Sequence, residues 1–308
     1  MSRAVVFAYH KVGVRCLLAL LARGVEVPLV VTHRDNPDED IWFSSVAETA
    51  AVHGLKVITP DDANAPQVLA EVQAARPDFL FSFYYRQMLG VSLLHAAPRG
   101  AFNMHGSLLP RYRGRVPVNW AIIHGETETG ATLHTMEVKP DAGAIIDQMA
   151  VPILPDDTAQ EVFDKVTVAA ETVLWRSVPA LLEGSTLPVA QDLTQGSYFS
   201  GRKPEDGRIN PLWSAQRVHD FVRALTHPYP GAFSDLEQGR LNLWQTRRMG
   251  LLENTPERAE LRLVGDQMML ACPDGASLLV LEATLADKPL CADNFAARIG
   301  ASVIALGA

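Results

Sequence analysis

The chain of 308 residues is 48% hydrophobic, 20% charged and carries a net charge of −8. That composition supports a buried core divided over about two domains of roughly 100–200 residues each, and it excludes the broad basic surface on which phosphate-driven nucleic-acid binding depends. Three cysteines, widely spaced and without a CxxC pair, exclude a disulfide framework and a zinc site, and no apolar run approaches the roughly 20 residues that span a bilayer.

The amino terminus enters a core strand rather than a signal peptide, so a cytoplasmic protein is expected. Apolar runs at 4–9, 27–31, 56–59 and 79–83 alternate with helical patterns at 14–22, 43–53, 67–75 and 91–96. Strand and helix in alternation predict an α/β fold with a doubly wound, largely parallel sheet. The first turn, His-Lys-Val-Gly at 10–13, lacks Gly-x-Gly-x-x-Gly, which leaves a dinucleotide without support. A helix N-terminus still attracts phosphate, which makes Gly13 a candidate for contact with a nucleotide. Tyr84, Tyr85 and Arg86 close the strand at 79–83 and are candidates to line a pocket at the sheet edge.

A further strand is predicted at 100–105, where period-2 alternation sets Asn103 and His105 on one face and Phe102 and Met104 on the other. The strand is stopped by Pro110, so His105 is expected at its carboxyl end, where open α/β sheets place ligands. Arg111, Arg113 and Arg115 crowd the next loop, where guanidinium groups can meet a diphosphate or a carboxylate. Trp120 opens a helical segment and reads as core, while His124 and His134 have no partner at metal-ligand spacing and read as structural. Asp141 follows in a Lys-Pro-Asp-Ala-Gly turn, then a strand at 144–154 and one long helix at 159–182. These bound a first domain at 1–185. Residues 186–207, rich in Gly, Ser, Thr and Pro, read as a linker. From 208 to 308 a helix at 215–225 and short strands at 241–245, 261–264, 268–272 and 277–282 predict a small β-barrel.

An Asn amide, an imidazole and a carboxylate are parts for attack on a carbonyl. The amide and imidazole can donate to a developing oxyanion, and the carboxylate can help remove a proton from an attacking amine. No Gly-x-Ser-x-Gly elbow is present and the cysteines lack a neighbouring His in sequence, so direct transfer without an acyl-enzyme is expected.

The run Asn-Met-His-Gly-Ser-Leu-Leu-Pro at 103–110, with Asp141 in its Asp-x-Gly turn, resembles the Asn-x-His-x-Ser-Leu-Leu-Pro signature of the folate-dependent formyltransferases. The likeness runs over nearly the whole chain. Val-Val-Phe-Ala-Tyr-His at 5–10, Phe-Ser-Phe-Tyr-Tyr-Arg at 81–86 and His-Gly-Glu-Thr-Glu-Thr-Gly at 124–130 are similar to the formyltransferase half of bifunctional enzymes that modify UDP-4-amino-4-deoxy-L-arabinose. The resemblance implies that Asn103, His105 and Asp141 are catalytic, with His105 as proton donor and Asp141 tuning it. It implies 10-formyltetrahydrofolate as formyl donor, held by Gln87, Met88, Leu89, Arg115 and the loop of Glu137, Val138, Lys139, Pro140 and Asp141. It also implies a carboxyl-terminal domain of the OB type, forming an open barrel.

Since the chain ends at Ala308, the decarboxylase half of those enzymes is not expected. The expected partners are a nucleotide sugar and folate, not nucleic acid or a membrane, with the oligomeric state open. Other nucleotide amino sugars, methionyl-tRNA and water, as in a formyltetrahydrofolate hydrolase, stay open as acceptors, and so does a folate-binding regulator. The run Tyr-Arg-Gly-Arg-Val-Pro-Val-Asn-Trp at 112–120 and the absence of a basic surface favour the sugar.

Overall fold

The computed structural model describes residues 2–37, 41–252 and 254–307; Met1 and Ala308, the outer limits of the two expected domains, lie outside them. The chain divides into two compact units. The first holds residues up to 117, 128–151 and 163–200; the second holds 118–127, 152–162 and 201 onward.

In chain order the first half runs β1 (Arg3–Ala8), α1 (His10–Ala22), β2 (Glu26–Val31), α2 (Val46–Val52), β3 (Val57–Ile58), α3 (Pro66–Ala74), β4 (Phe79–Phe83), α4 (Val91–Leu94) and β5 (Ala101–His105). There follow β6 (Arg113–Gly114), α5 (Pro117–Ile123), β7 (Glu128–Thr135), β8 (Ile145–Pro152), α6 (Ala159–Glu183) and β9 (Tyr198–Phe199). One sheet has the order β3-β2-β1-β4-β5-β7-β8. Its first five strands pair in parallel, and β5 pairs antiparallel with β7. Strands buried on both faces read as near-continuous apolar runs. The five residues of β4 are all buried, and Phe81 stacks on Phe83 and Phe102 with centroids 5.6 Å apart in both pairs. On the other face Phe7, Leu29, Val31, Leu80 and Leu93 form a core with Val68 and Val72 of α3.

The expected elements are present, with two shifts that matter. Helix α1 begins at His10, four residues before the predicted start, so Gly13 falls inside it. The stretch expected to be a linker is fastened to the first unit as far as residue 200. Val189 bridges Ile145 through two backbone bonds of 2.8 Å, and β9 pairs in parallel with β6. Its small residues mark close approaches rather than slack, since a Cβ on Gly196 would lie 2.5 Å from the Pro110 carbonyl oxygen.

The second unit carries α7 (Ala215–Leu225), β10 (Ala232–Leu236), β11 (Gly239–Leu251), β12 (Glu260–Val264), β13 (Gln267–Ala271), β14 (Ala276–Leu285), β15 (Lys288–Leu290), α8 (Ala292–Ile299) and β16 (Val303–Ala305). The antiparallel sheet has the order β10-β11-β14-β13-β12-β16, with β15 added to β14. Three register shifts along the β11–β14 pair act as bulges that bend the ladder. The result is a curled half-barrel with two ends, the open form of the barrel that the resemblance implies.

Candidate active site

The β5–β7 register builds the site. Asn103 lies opposite His134, and His105 opposite Thr132. Directly opposed residues in an antiparallel pair project to the same face, and the Asn103 Nδ2 sits 3.1 Å from the His134 Nε2. The Nδ1 of His134 is 2.8 Å from the Thr135 carbonyl oxygen. A carbonyl only accepts, so Nδ1 carries a proton, and Nε2 faces both the Asn103 amide at 3.1 Å and Asp141 Oδ1 at 3.6 Å. The Asn103 carbonyl end is thereby turned away from His134.

After His105 the chain enters a loop that is fastened to the sheet. The Thr132 hydroxyl donates to Ser107 O at 2.6 Å and accepts from Leu109 N at 3.2 Å. Gln148 Nε2 donates to Leu109 O and Thr132 Oγ1, both at 2.8 Å, and the Ser107 hydroxyl donates to Arg111 O at 2.7 Å. The loop returns so that Tyr112 O accepts from His105 Nε2 at 2.8 Å and Gly114 N donates to Asp141 Oδ2 at 2.9 Å. Each nitrogen of the buried His105 ring thus has a neighbour: Nε2 faces Tyr112, and Nδ1 lies 3.6 Å from Asp141 Oδ1.

Asp141 stands beside His105 and beside His134, the partner of Asn103. Its Oδ1 is 3.6 Å from both His105 Nδ1 and His134 Nε2, and its side chain is 13% exposed. Burial pushes its carboxyl upward. The neighbouring His105 and His134 rings and the Gly114 N–H together outweigh burial and hold it well below the usual carboxylate range. The residue is left-handed, with φ of +51°, a conformation that Asp tolerates better than most side chains. The turn behind it has no spare room, because a Cβ on Gly143 would stand 1.8 Å from the Thr135 carbonyl oxygen. Gly143→Ala is therefore expected to destabilise the protein by about 1–3 kcal/mol through overpacking and to lower turnover by displacing Asp141. Thermal melts and initial rates on the same preparation check both effects.

The remaining candidates sort into three groups. Glu137, Val138 and Lys139 are exposed and line a cavity of about 880 Å³, whose apolar wall includes Leu94, Ala101 and Met136. Pro140 is half-buried beside them. Gln87, Met88 and Leu89 are absent from the described lining. Gln87 binds backbone at Ala63 and Asp61, Leu89 is core, and Met88 accepts from Asn64 Nδ2 through its carbonyl.

Among the arginines, Arg115 is exposed and Arg111 lies 3.7 Å from Glu128. Arg113 is buried, and its Nε has no hydrogen-bond partner among the described residues.

The third group gathers at the carboxyl ends of β1 and β4, the switch point of the strand order. Tyr85 stacks on His33 at 4.1 Å, and its hydroxyl is buried without a hydrogen-bond partner among the described residues and pushed up to about 12 by burial, with Asp62 adding to the effect. Arg86 lies over the Tyr9 ring, and Tyr84 lies edge-on to Phe163. Gly13 is a packing position: it is buried, its N–H bonds Tyr9 O, and a Cβ there would press on Ala8 and Val46 at 3.1 Å. The amides of the open first turn of α1 are those of His10, Lys11 and Val12.

Sequence reasoning passed over His134, read as structural, and Gln191, read as linker. His134 shares its face with Thr132 by simple alternation, but only the strand register brings it to Asn103. Gln191 donates to Asp141 O at 3.0 Å and to Gly143 O at 2.6 Å. His10, the first residue of α1, stacks on Phe43 at 3.8 Å and is pushed down to about 3 by burial, with Arg86 and Lys11 adding.

Residues 5–178 match the family model for formyl transferases, and residues 202–299 match the model for the formyl transferase C-terminal domain. Three solved structures share the fold. An N-formyltransferase from Helicobacter canadensis, in complex with folinic acid and dTDP-3-aminofucose, is 21% identical, with 91% of this chain and 99% of that one covered and a TM-score of 0.70. WlaRD, a sugar 3-N-formyltransferase crystallised with dTDP and 5-N-formyltetrahydrofolate, is 20% identical over 94% and 99%, with a TM-score of 0.69. A 4-N-formyltransferase from Francisella tularensis is 20% identical over 77% and 94%, with a TM-score of 0.64.

Proposed function

The chain belongs to the formyl transferase family, and we propose that it transfers the formyl group of 10-formyltetrahydrofolate to the 4-amino group of UDP-4-amino-4-deoxy-L-arabinose. The pairing of His105 with Asp141, and of Asp141 with Asn103 through His134, carries the chemistry. The unprotonated amine adds to the formyl carbon, and Asn103 and His105 donate to the oxyanion. Asp141, already ionised, takes the proton that the amine nitrogen loses. The oxyanion then collapses, the bond from carbon to folate N10 breaks, and N10 takes its proton from His105 Nδ1, which Asp141 re-protonates with the proton it received from the amine. The reacting group is taken to sit beside His105 Nδ1 and Asp141 Oδ1, which stand 3.6 Å apart.

For folate we offer the cavity beside Asp141's loop, whose described lining does not include Asn103, His105 or Asp141 themselves. An apolar wall of Leu94, Ala101 and Met136 suits a flat pterin, and the volume lies in the range of small-molecule pockets. Glu137, Val138 and Lys139 form its rim. Because the Gln87 and Leu89 side chains are engaged in the fold, residues 87–89 would meet folate through backbone groups. Exposed Arg115 is free to face its glutamate, while Arg86 and buried Arg113 are candidates for the acceptor's anionic groups.

The acceptor is supported by sequence likeness at 5–10, 81–86 and 124–130. The relatives crystallised with dTDP or a dTDP-amino sugar make a nucleotide amino sugar the fitting class. Incubation of the purified protein with 10-formyltetrahydrofolate and, separately, UDP-4-amino-4-deoxy-L-arabinose, another UDP-4-amino sugar, a dTDP-amino sugar and methionyl-tRNA tests this by mass spectrometry. The mass of one formyl group gained by the arabinose nucleotide alone is the expected result. Gain on another acceptor overturns the substrate and keeps the chemistry. Formate released without a formylated acceptor overturns both.

A further inference from the structure

We infer that Gln191 is the positioning residue of the Asp141 carboxylate, an inference that rests on Asp141 being catalytic. Its amide nitrogen donates to two carbonyls of the same turn, Asp141 O at 3.0 Å and Gly143 O at 2.6 Å. Its Oε1 is buried and has no partner among the described residues. The orientation of the amide is therefore unambiguous, because the flipped form would press an oxygen against two carbonyl oxygens.

The turn needs such a hold. Asp141 sits at φ +51°, and a side-chain-bearing residue keeps a left-handed conformation only where its surroundings over-determine it. From one side Gly143 is wedged against the Thr135 carbonyl. From the other, Gln191 ties the carbonyls before and after Ala142 to a single nitrogen. The carboxylate itself is met by Gly114 N, His105 and His134, none of which fixes the backbone that bears it. Gln191 is in turn placed by the Val189–Ile145 bridge two residues earlier. A release of the clamp lets residues 141–143 relax toward ordinary backbone angles and swings the carboxylate away from the two imidazoles.

The test compares Gln191→Met, Asp141→Asn and the double variant, with 10-formyltetrahydrofolate and UDP-4-amino-4-deoxy-L-arabinose as substrates and hydrogen exchange as a readout independent of activity. Gln191→Met keeps the side-chain length and loses both donors. It is expected to lower kcat about 100-fold, the cost of a misplacement near 1 Å, with KM changed far less, and to speed amide exchange at 141–144 while β5 and β7 stay protected. On the Asp141→Asn background the same change is expected to cost nothing more, because residues acting as a unit are not additive. Gln191→Asn, too short to reach both carbonyls, repeats the measurement if the Met variant does not fold. Wild-type kcat in a folded Gln191 variant overturns the proposal, as does a loss that multiplies with that of Asp141→Asn. Wild-type kcat in Asp141→Asn overturns the catalytic reading of Asp141 instead, and is distinguished by leaving the exchange result intact.

Discussion

Asp141→Asn and His105→Ala are each expected to reduce turnover by about 10²–10⁴-fold, the range for a positioned acid or base, with the fold retained. The Asn variant is the sharper of the two, since it preserves shape and the Gly114 hydrogen bond while removing the charge. A second signature follows from the same carboxyl. Burial raises its pKa, but His105, His134 and the Gly114 N–H lower it further than burial lifts it, so the folded value lies below the unfolded one of about 3.9. A depressed carboxyl contributes stability that is fully present above the unfolded value and lost as pH falls through the folded one. The wild type is therefore expected to melt above Asp141→Asn at pH 7, and the gap to close as the pH drops below about 4. Melting curves on both proteins from pH 7 to 3 check the sign. A gap that widens on acidification contradicts the assigned electrostatics.

The largest expected effect on stability lies in the second unit. Arg223 and Asp220, one turn apart on α7, are both buried, and the guanidinium meets Asp220 Oδ1 through Nε at 2.8 Å and Nη2 at 2.7 Å. The third nitrogen donates to Asp157 O at 2.9 Å and Leu154 O at 3.2 Å, and Gln216 donates to the other Asp220 oxygen at 2.8 Å. Asp220→Ala leaves a buried cation facing carbonyls only, a loss of about 3–5 kcal/mol, or a fall in melting temperature of roughly 10 °C. Asp220→Leu combined with Arg223→Met is expected to cost less than Asp220→Ala alone, because no unpaired charge remains. Calorimetry on the three proteins gives the order. An Asp220→Ala protein as stable as the wild type would show that the pair is not holding α7.

Much of the first unit was legible because parallel strands advertise themselves. Residues 79–83 are apolar throughout since neighbours cover both faces, and the helices between such runs follow from their spacing. The site was legible in part for a different reason: Asn103, His105 and Asp141 sit at a strand end and in a turn, features with local signatures. His134 and Gln191 were not legible. Each reaches the site through a pairing set elsewhere, His134 by the β5–β7 register across some thirty residues and Gln191 by the Val189–Ile145 bridge. Helix α1 was read late because Lys-Val-Gly looks like a turn, although Gly13 is glycine for want of space beside Ala8 and Val46. In the second unit β10, β15, α8 and β16 escaped notice, being short pieces whose partners lie far along the chain.

The pairing of β6 with β9 sets a rule for recombining this protein with its relatives. Arg113 and Arg115 hang by their backbone amides from Ser197 and Phe199, Tyr112 N donates to the Ser197 hydroxyl, and Tyr112 is also the residue that holds His105. A chimaera joined at the end of α6, where the first domain was expected to finish, would inherit its candidate catalytic residues from one parent and their scaffold from the other. Exchanges meant to alter the carboxyl-terminal half alone have their safe crossover beyond residue 200.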